Sequence, residues 1–451
     1  MSKTETRHEI IVIGAGMAGL LTAWYLQEAG KEVVVLEAAQ VASGQTGRTT
    51  AKITSQHGLK YATLIKRIGK EKAGLYARAN QQAIEEYDRL IRKNKIDCEF
   101  KRCPAYLYTT AEESILSLKE EAEAAGSLGI PAFFTEKTEL PFAIKGAVCF
   151  ENQARFLPMD FVRFLAGKLR VEEKAQVIRI KGNRVITKDR VMKAEKIVVA
   201  AHYPFRNLPG FYFFRQHQER SYVMKLSGCP EIDGMYLGID PDGLSLRQAG
   251  DYLLLGGGSH RTGDNQEGGK YVFLETAAKE YFPQAKIADR WSAQDCMPHD
   301  GIPFIGKFSC FTPDLYVATG FQKWGMTSSM VAAQLITDAV CGRQNAYAQV
   351  FTPQRGNIRA GIGNFLIDVG VSTKGLVRGA LASDVEKKLP VGEETAELKG
   401  NHTGCIKSRC THMGCGLTWN PDEKSWDCPC HGSRFDANGK LLDNPAIRNR
   451  D

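Results

Sequence analysis

Cysteine and histidine residues crowd together near the end of this 451-residue chain. In one segment Cys410 precedes His412 by two positions, and in a second segment Cys428 precedes His431 by three. A 2Fe–2S cluster needs such a set when one iron takes two thiolates and the other takes two imidazoles. A zinc ion also accepts cysteine and histidine at short spacing. The residue types therefore predict a metal centre, with an iron–sulfur cluster or zinc as its occupant.

A second set of residues, near the start of the chain, has the spacing of a dinucleotide site. Gly14, Gly16 and Gly19 form a Gly-x-Gly-x-x-Gly motif between an apolar run and a helical pattern. These glycines permit a tight turn, close approach of a pyrophosphate and close packing of helix on strand. Glu37, after the next apolar run, is placed to accept a hydrogen bond from a ribose hydroxyl. A glycine-rich turn without a ligand would not explain the strand, helix, second strand and acid together.

The elements that must position these two sites follow from the hydrophobic pattern. Around the glycine motif, strand His8–Ile13, helix Met17–Ala29 and strand Glu32–Leu36 form one βαβ unit. Periodic runs predict helices over Leu59–Lys93, Ala111–Leu128 and Thr327–Val340, and short apolar runs predict strands over Glu195–Ala201, Tyr252–Leu255 and Leu315–Ala318.

The two metal-binding segments resemble those of Rieske proteins. The likeness includes the run Cys-Pro-Cys-His-Gly-Ser, which begins at Cys428. The resemblance implies that Cys410 and Cys428 bind one iron, and that His412 and His431 bind the other. It therefore favours a 2Fe–2S cluster of the Rieske type.

The Rieske resemblance also gives roles to residues that flank the ligands. It implies a disulfide between Cys415 and Cys430, as in the respiratory type, and zinc would leave these two cysteines unexplained. Ser433 stands where respiratory proteins have a serine that donates to a bridging sulfur, but Phe435 stands where they commonly have a tyrosine. We therefore predict a reduction potential below the respiratory type, within the Rieske span of roughly −150 to +300 mV. Cys405 fits no role and is expected to be a free thiol.

Two further stretches resemble D-amino-acid-oxidase-like flavoproteins. One runs from Ala42 to Thr54, and the other comprises Asp300–Gly306 and Val317–Thr327. In that family the second stretch turns a helix N-terminus toward the flavin ring, which stabilises negative charge on the reduced flavin. The resemblance covers residues 8 to about 345 and implies FAD. Besides the glycine motif and Glu37, the residues it implies for cofactor binding are Arg48, Thr49, Thr50, Asp300, Gly320, Gly325, Met326 and Thr327.

The chain departs from this family in ways that concern flavin attachment. Leu157 stands where many relatives have a histidine before the proline. No histidine lies between Ala42 and Thr54, where some relatives attach their flavin covalently. We therefore expect non-covalent FAD, with His57 as the alternative point of attachment.

These patterns predict an α/β FAD-binding Rossmann-like domain with an antiparallel-sheet substrate domain, followed by a small all-β Rieske domain. The FAD-binding and substrate domains interleave within residues 1–346, with the substrate part at about residues 100–150 and 205–295. Residues 347–389 are expected to form a connector, and residues 390–451 the Rieske domain.

The composition excludes several other classes of protein. Hydrophobic residues make up 43% of the chain and charged residues 24%, which is typical of a globular protein. The net charge of +8 is spread along the sequence without a basic run interleaved with aromatic residues, so we expect no nucleic-acid partner. The chain shows neither an apolar signal core nor a membrane-spanning run, and we expect a cytoplasmic protein without a membrane span.

A flavin and a cluster on one chain suggest how the two would divide the work. A flavin can take two electrons from a C–H bond next to nitrogen, whereas a Rieske cluster holds one. We expect an FAD-dependent dehydrogenase of an amine or amino acid that passes single electrons to the cluster and then to an external acceptor. Lys323 is the first candidate to pair with a substrate carboxylate, because it lies in the expected flavin turn. Arg220 and Arg247 are weaker candidates, since solvated surface cations are the commoner case.

Two other functions compete with this interpretation. An electron-transfer protein would use the flavin only to split electron pairs between carriers, without a small organic substrate. A ring-hydroxylating oxygenase would require a mononuclear iron on two histidines and a carboxylate. The remaining histidines show no such spacing along the chain, so the sequence sets the oxygenase aside.

Overall fold

A computed structural model describes residues 5–356, 358–381 and 409–450 of the chain. Cys405 and the first part of the expected Rieske domain lie outside these residues. The strands are β1 (Glu5–Ile13), β2 (Val33–Leu36), β3 (Lys52–Ile53), β4 (Lys101–Thr109), β5 (Ala132–Thr135), β6 (Gly146–Arg155), β7 (Val171–Glu172), β8 (Val177–Lys181), β9 (Arg184–Thr187), β10 (Val191–Val199), β11 (Gln216–Ser227), β12 (Met235–Gly238), β13 (Ser245–Ala249), β14 (Tyr252–Arg261), β15 (Lys286–Pro298), β16 (Phe304–Lys307), β17 (Leu315–Thr319), β18 (Thr418–Asn420), β19 (Ser425–Asp427), β20 (Arg434–Asp436) and β21 (Leu441–Asp443).

The helices cover most of the helical patterns in the sequence. They are α1 (Met17–Glu28), α2 (Tyr61–Ile68), α3 (Lys70–Asn94), α4 (Ile115–Ser127), α5 (Pro158–Ala166), α6 (Lys270–Tyr281), α7 (Gly325–Val340), α8 (Ala348–Phe351) and α9 (Ile358–Leu381). No helix among the described residues combines the length and the apolar character needed to cross a bilayer.

The first sheet carries the dinucleotide motif. Its order is β16-β17-β10-β1-β2-β7, and the strands from β17 to β7 are parallel to one another. The side chains of Ile10–Ile13 and Val33–Leu36 are buried, as expected for parallel strands covered on both faces. Helices α1 and α7 pack against each other on one face of this sheet. The predicted Rossmann-like unit is therefore confirmed. The glycine-bearing starts of α1 and α7 both line the same cavity.

The second and third sheets build the rest of the molecule. The second has nine strands in the order β15-β11-β14-β13-β12-β4-β6-β3, with β5 on β6, and it is antiparallel except between β12 and β4. The third is a small antiparallel sheet of β18 to β21 around the cysteine-rich core. The predicted fold class, with a substrate sheet and a small all-β module, is confirmed.

Two predictions about helices differ from the structure. The pattern over Leu59–Lys93 is two helices, because Gly69 adopts a positive φ of 81° between α2 and α3. The expected connector contains the 24-residue helix α9. The sequence did not predict this helix, because its glycines have a low helix propensity. Two of those glycines serve close packing, since a methyl group on Gly375 would lie 2.5 Å from Cys430 Sγ and one on Gly379 would overlap Gly414 O. Gly416 N–H also donates to Gly375 O, which ties the helix to the cysteine-rich module.

Candidate functional site

A cavity of about 950 Å³ opens between the first two sheets. The dinucleotide motif lines it at the carboxyl ends of β1 and β2, and residues of β11, β14 and β15 line it from the substrate side. The third sheet contributes the wall formed by residues 440–444 and 446–449. The cavity therefore touches all three sheets, and a ligand inside it would contact both the flavoprotein part and the cysteine-rich module.

The glycine motif has the geometry of a phosphate cradle. Gly14 has a φ of +105°, and a methyl group there would lie 2.6 Å from the carbonyl oxygen of Ala200. A methyl group on Gly19 would overlap the carbonyl oxygen of Gly14, so this glycine lets α1 approach β1. Glu37 lines the cavity, and its carboxylate accepts from the backbone N–H groups of Ala15 (2.8 Å) and Ala39 (2.9 Å). The acid is thus fixed beside the cradle.

Most, but not all, of the other predicted cofactor residues reach the cavity. Those that line it are Gly16, Arg48, Thr49, Thr50, Gly320, Gly325 and Met326. Gly320 and Gly325 mark the turn into α7, as the family resemblance implies. Thr327 is buried one residue further and hydrogen-bonds Thr54 O at 3.1 Å. Asp300 makes a double hydrogen bond with Arg355 instead, at 2.6 and 2.9 Å, outside the cavity wall.

His57 is held by protein groups on both ring nitrogens. Its Nδ1 lies 2.7 Å from the Tyr76 hydroxyl and its Nε2 lies 2.8 Å from Thr54 O. The ring also stacks on Trp324 and does not line the cavity. This placement favours the non-covalent FAD that the sequence predicts.

Lys323 lines the cavity but is already paired. Its Nζ donates to Ser221 Oγ (2.8 Å) and Asp295 Oδ2 (3.3 Å), and lies 3.6 Å from Glu219 Oε2. Burial would raise the pKa of Glu219, but the bond to His217 and the charge of Lys323 lower it to about 2. Two acids therefore compete with any substrate carboxylate for this lysine.

The two arginine candidates are not solvated surface cations. Arg220 is fully buried, bonds Gln294 Oε1 at 2.9 Å and pairs with Glu423 of the third sheet at 3.0 Å. Arg247 is also buried, and its Nη1 donates to Phe156 O at 3.2 Å. The prediction of surface exposure was wrong for both, because the residue type alone does not report burial.

Lys52 is a cavity residue that no pattern in the sequence indicated. Its Nζ donates to two uncharged acceptors, Tyr236 O (2.7 Å) and Ser245 Oγ (2.8 Å). Burial and the nearby charge of Arg247 lower the pKa of Lys52 to about 7. Burial and Arg155 lower the pKa of Arg247 to about 9. This side of the cavity therefore carries excess positive charge.

The predicted metal ligands converge on one site. Cys410 and Cys428 are buried in one small core, and the rings of His412 and His431 lie 5.0 Å apart. The Nδ1 atoms of both histidines are buried without a hydrogen-bond partner among the described residues. Burial lowers the pKa of His412 to about 4 and that of His431 to about 3, so both imidazoles keep a lone pair for iron. These orphaned nitrogens fit a cluster bound through Nδ1.

The residues around the ligands also agree with a cluster. Cys415 and Cys430 are joined as a disulfide between the two loops. Ser433 Oγ accepts from Ala446 N–H at 3.0 Å and also hydrogen-bonds Cys410. Phe435 is fully buried in the same core. The side chains that the Rieske resemblance singled out thus lie at the metal site.

The outer edges of the two histidines are covered by the flavoprotein part. His412 Nε2 donates to Asn207 Oδ1 at 2.9 Å. The ring of Phe213 meets the ring of His431 edge-on, with the ring centres 5.9 Å apart. The segment between β10 and β11 therefore lies across the side of the metal site that faces away from the module.

One side chain spans the interval between the cavity and the metal site. Gln218 Nε2 donates to His431 O (2.6 Å) and Asn444 O (3.1 Å). Its Oε1 lies 3.2 Å from Nε2 of His202, which lines the cavity. No sequence pattern singled out Gln218, because the two carbonyl groups that accept from it lie more than 200 positions further along the chain.

Comparisons with known proteins agree with this geometry. Residues 9–339 match the FAD dependent oxidoreductase (DAO) family. The chain belongs to that family. Residues 382–450 of this oxidoreductase match the Rieske [2Fe-2S] domain, which decides the metal centre in favour of a 2Fe–2S cluster over zinc. The cofactors are therefore FAD and a 2Fe–2S cluster.

One relative matches almost the whole chain, and solved structures match 78% of it. The oxidoreductase is 36% identical over 474 positions to a Bacillus subtilis (strain 168) protein named "Putative Rieske 2Fe-2S iron-sulfur protein YhfW", covering 98% of this chain and 93% of that one. It shares its fold with L-proline dehydrogenase from P. horikoshii (TM-score 0.65, 17% identity, 78% and 98% covered). Glycine oxidase from Geobacillus kaustophilus is similar to the same extent (TM-score 0.66, 18% identity, 78% and 99% covered).

Replacing Gly14 with alanine should remove FAD. The added methyl group would meet the Ala200 carbonyl oxygen, so we expect FAD affinity to fall by at least about tenfold, or 1.4 kcal/mol. Gly30→Ala is the matched control, because Gly30 also has a positive φ but open space around it. Flavin absorbance per chain after dialysis measures both variants. Equal FAD retention in the two would refute the cradle.

Introducing a hydroxyl group at Phe435 should raise the cluster potential. In Phe435→Tyr a new hydrogen bond toward sulfur would favour the reduced cluster, by roughly 20–65 mV for a bond of about 0.5–1.5 kcal/mol. A redox titration followed by EPR measures the shift. Phe308→Tyr, at an equally buried position of the flavoprotein core, serves as the control and should leave the potential unchanged. An unchanged potential in Phe435→Tyr would mean that its hydroxyl group does not reach the sulfurs.

Proposed function

We propose that this oxidoreductase dehydrogenates an amine or amino acid and passes the electrons one at a time to its own 2Fe–2S cluster, from which an external one-electron acceptor takes them. Bound FAD supplies acceptance of an electron pair from a C–H bond, and the cluster supplies one-electron exchange. The single observation that carries the proposal is the cavity shared by the dinucleotide motif and the Rieske module.

Contacts at the shared wall support transfer within the chain. Gln218 links cavity-lining His202 to the backbone of the ligand His431. Gln294 Nε2 bonds both Gln218 Oε1 (2.6 Å) and Gly432 O (2.8 Å), which fixes that link in place. The interval between the two cofactor sites is thus bridged by hydrogen-bonded protein groups.

The positive charge around Lys52 supports an acidic substrate. Even a half-buried cation is more favourable beside an anion, and the hydrogen-bond acceptors around Lys52 Nζ are uncharged. Arg247 behind it adds to the same potential. A substrate carboxylate that enters the cavity would provide the missing counter-charge. We therefore assign carboxylate recognition to Lys52, whereas Lys323 is occupied by Asp295 and Glu219.

The competing function is an electron-transfer protein without a small organic substrate. Such a protein needs no enclosed space with an uncompensated cation beside its flavin. The cavity-lining Lys52, whose hydrogen-bond acceptors are uncharged, therefore favours the enzyme.

Carboxylate binding should depend on the charge of Lys52. Because the pKa of Lys52 lies at about 7, the ammonium form predominates below that pH and is lost above it. We expect simple aliphatic carboxylates, which lack a titrating amine, to bind more weakly as the pH rises through 7. The perturbation of flavin absorbance measures their Kd. Lys52→Met should bind weakly at every pH, whereas Lys52→Arg should bind tightly across the range.

A pH profile that is the same in wild type and Lys52→Met would contradict this assignment. The matched control is Lys323→Met, which removes a cavity lysine that already has acidic partners. If that variant alone loses carboxylate affinity, the role belongs to Lys323, as the sequence suggested.

Electron transfer within the chain can be tested with a substitution that introduces a steric clash between the substrate sheet and the Rieske module. Gly263 has a φ of +93°, and a methyl group there would lie 2.8 Å from Pro429 Cα, beside the ligand Cys428. In Gly263→Ala we expect substrate to bleach the flavin at the wild-type rate but electrons to reach the cluster more slowly. Anaerobic stopped-flow absorbance follows the flavin, and freeze-quench EPR follows the reduced cluster.

Gly129→Ala is the control for that experiment, because Gly129 has a similar φ of +85° with nothing within 4 Å. Amines and amino acids are first screened anaerobically for flavin bleaching with the wild-type protein. A wild-type cluster that stays oxidised while a substrate fully reduces the flavin would exclude internal transfer.

A further inference from the structure

A second cluster of metal-ligating side chains lies outside both cofactor sites. The sequence shows no spacing that predicts a site of two histidines and a carboxylate, but the fold brings such a set together. It consists of His217 on β11, His299 after β15 and Asp368 on α9, which come from three distant segments. One ligand atom from each lies within 4.8 Å of the other two. Their side chains are 17%, 9% and 10% exposed, which keeps the group largely out of water.

The two imidazoles converge on the same carboxylate oxygen. Asp368 Oδ2 contacts His217 Nδ1 at 3.1 Å and also contacts His299 Nε2. The other oxygen, Oδ1, is occupied by Arg261 Nη1. Oδ2 and two imidazole nitrogens therefore face one another, while the guanidinium group fixes the orientation of the carboxylate.

From this arrangement we propose that His217, His299 and Asp368 bind one divalent metal ion, separate from the 2Fe–2S cluster. Two imidazoles and one carboxylate leave further coordination positions open for water, which is the donor set that suits ferrous iron. The site is composed of residues on three different elements, so a bound ion would fasten α9 to the substrate sheet.

The surroundings of the three ligands support this assignment. Metal-binding histidines commonly direct their second ring nitrogen at a carboxylate, and His217 Nε2 lies 3.6 Å from Glu219 Oε1. A ligating carboxylate is in turn commonly hydrogen-bonded, as Asp368 is by Arg261. Arg261 Nε also donates to Pro429 O at 3.1 Å, which connects the site to the loop that carries Cys428 and His431.

The first measurement is the metal content of the full-length protein with FAD and cluster in place. Inductively coupled plasma mass spectrometry after anaerobic purification and ferrous iron loading should find one divalent ion per chain beyond the two irons of the cluster. Calorimetric titration with Mn²⁺, an EPR-visible probe for the same donor set, should show one site per chain.

Graded variants separate a metal site from a network of ion pairs. Asp368→Asn should weaken Mn²⁺ binding by at least about 100-fold, because the loss of an outer partner alone typically costs about 10–100-fold. Arg261→Gln should fall within that smaller range. Asp240→Asn removes a carboxylate that bonds Thr109, Thr110 and Ser114 elsewhere, and it should bind Mn²⁺ as the wild type does.

His299→Gln provides a second test if Asp368→Asn is poorly folded, and flavin and cluster spectra report folding in each variant. Wild-type protein that holds two irons only and gives no Mn²⁺ isotherm would overturn the proposal. Equal Mn²⁺ affinity in Asp368→Asn, His299→Gln and the wild type would do the same. Either outcome would leave a set of buried ion pairs, and neither bears on the proposed dehydrogenase activity.

Discussion

A buried network of ion pairs holds the Rieske module on the substrate sheet. Arg220 of β11 and Arg434 of β20 face three acids of the module, Glu423, Asp427 and Asp443, at 2.8–3.7 Å. Buried charges of this kind are tolerated only as a complete set, and removal of one member typically costs about 3–5 kcal/mol. The relative position of the two parts, and with it the shared cavity wall, depends on this set.

Strand β11 contacts the cavity, the Rieske module and helix α9. Side chains alternate between the two sides of a strand, so His217 and Glu219 face one side while Gln218 and Arg220 face the other. The first pair reaches Asp368 and Lys323. The second pair reaches the Rieske module. Four consecutive residues thus join the flavin cavity, α9 and the cluster, and a shift of one residue in this strand would exchange all of these contacts.

The sequence predicts those site features whose residues lie close together along the chain. The glycine motif and Glu37 belong to one βαβ unit, and the metal ligands belong to two loops of one small module. Their types and spacing are therefore sufficient to predict a dinucleotide site and a metal centre, and the family resemblance of the same segments indicates FAD and a 2Fe–2S cluster. The turn at Gly320 and Gly325 was also recognisable, because it precedes a strongly helical run.

The remaining features depend on contacts between distant segments. Lys52, Gln218 and Arg220 acquire their roles only when the sheets pack together, and no local pattern distinguishes them from surface residues. Helix α9 was missed because glycine disfavours helices in isolation, whereas its close packing against Cys430 and Gly416 stabilises it here. Asp300 was assigned by family resemblance, yet its carboxylate is taken by Arg355, which lies 55 positions away.

The segment that carries Asn207 and Phe213 has a consequence for access to the metal site. Because this segment contacts both histidine ligands, a dissolved carrier would reach them only over the part of their edge that the segment leaves exposed. The loop that carries His431, by contrast, is hydrogen-bonded to the cavity side through Gln218 and Gln294. Screening of this kind would slow the reaction of a reduced cluster with small oxidants in the solvent.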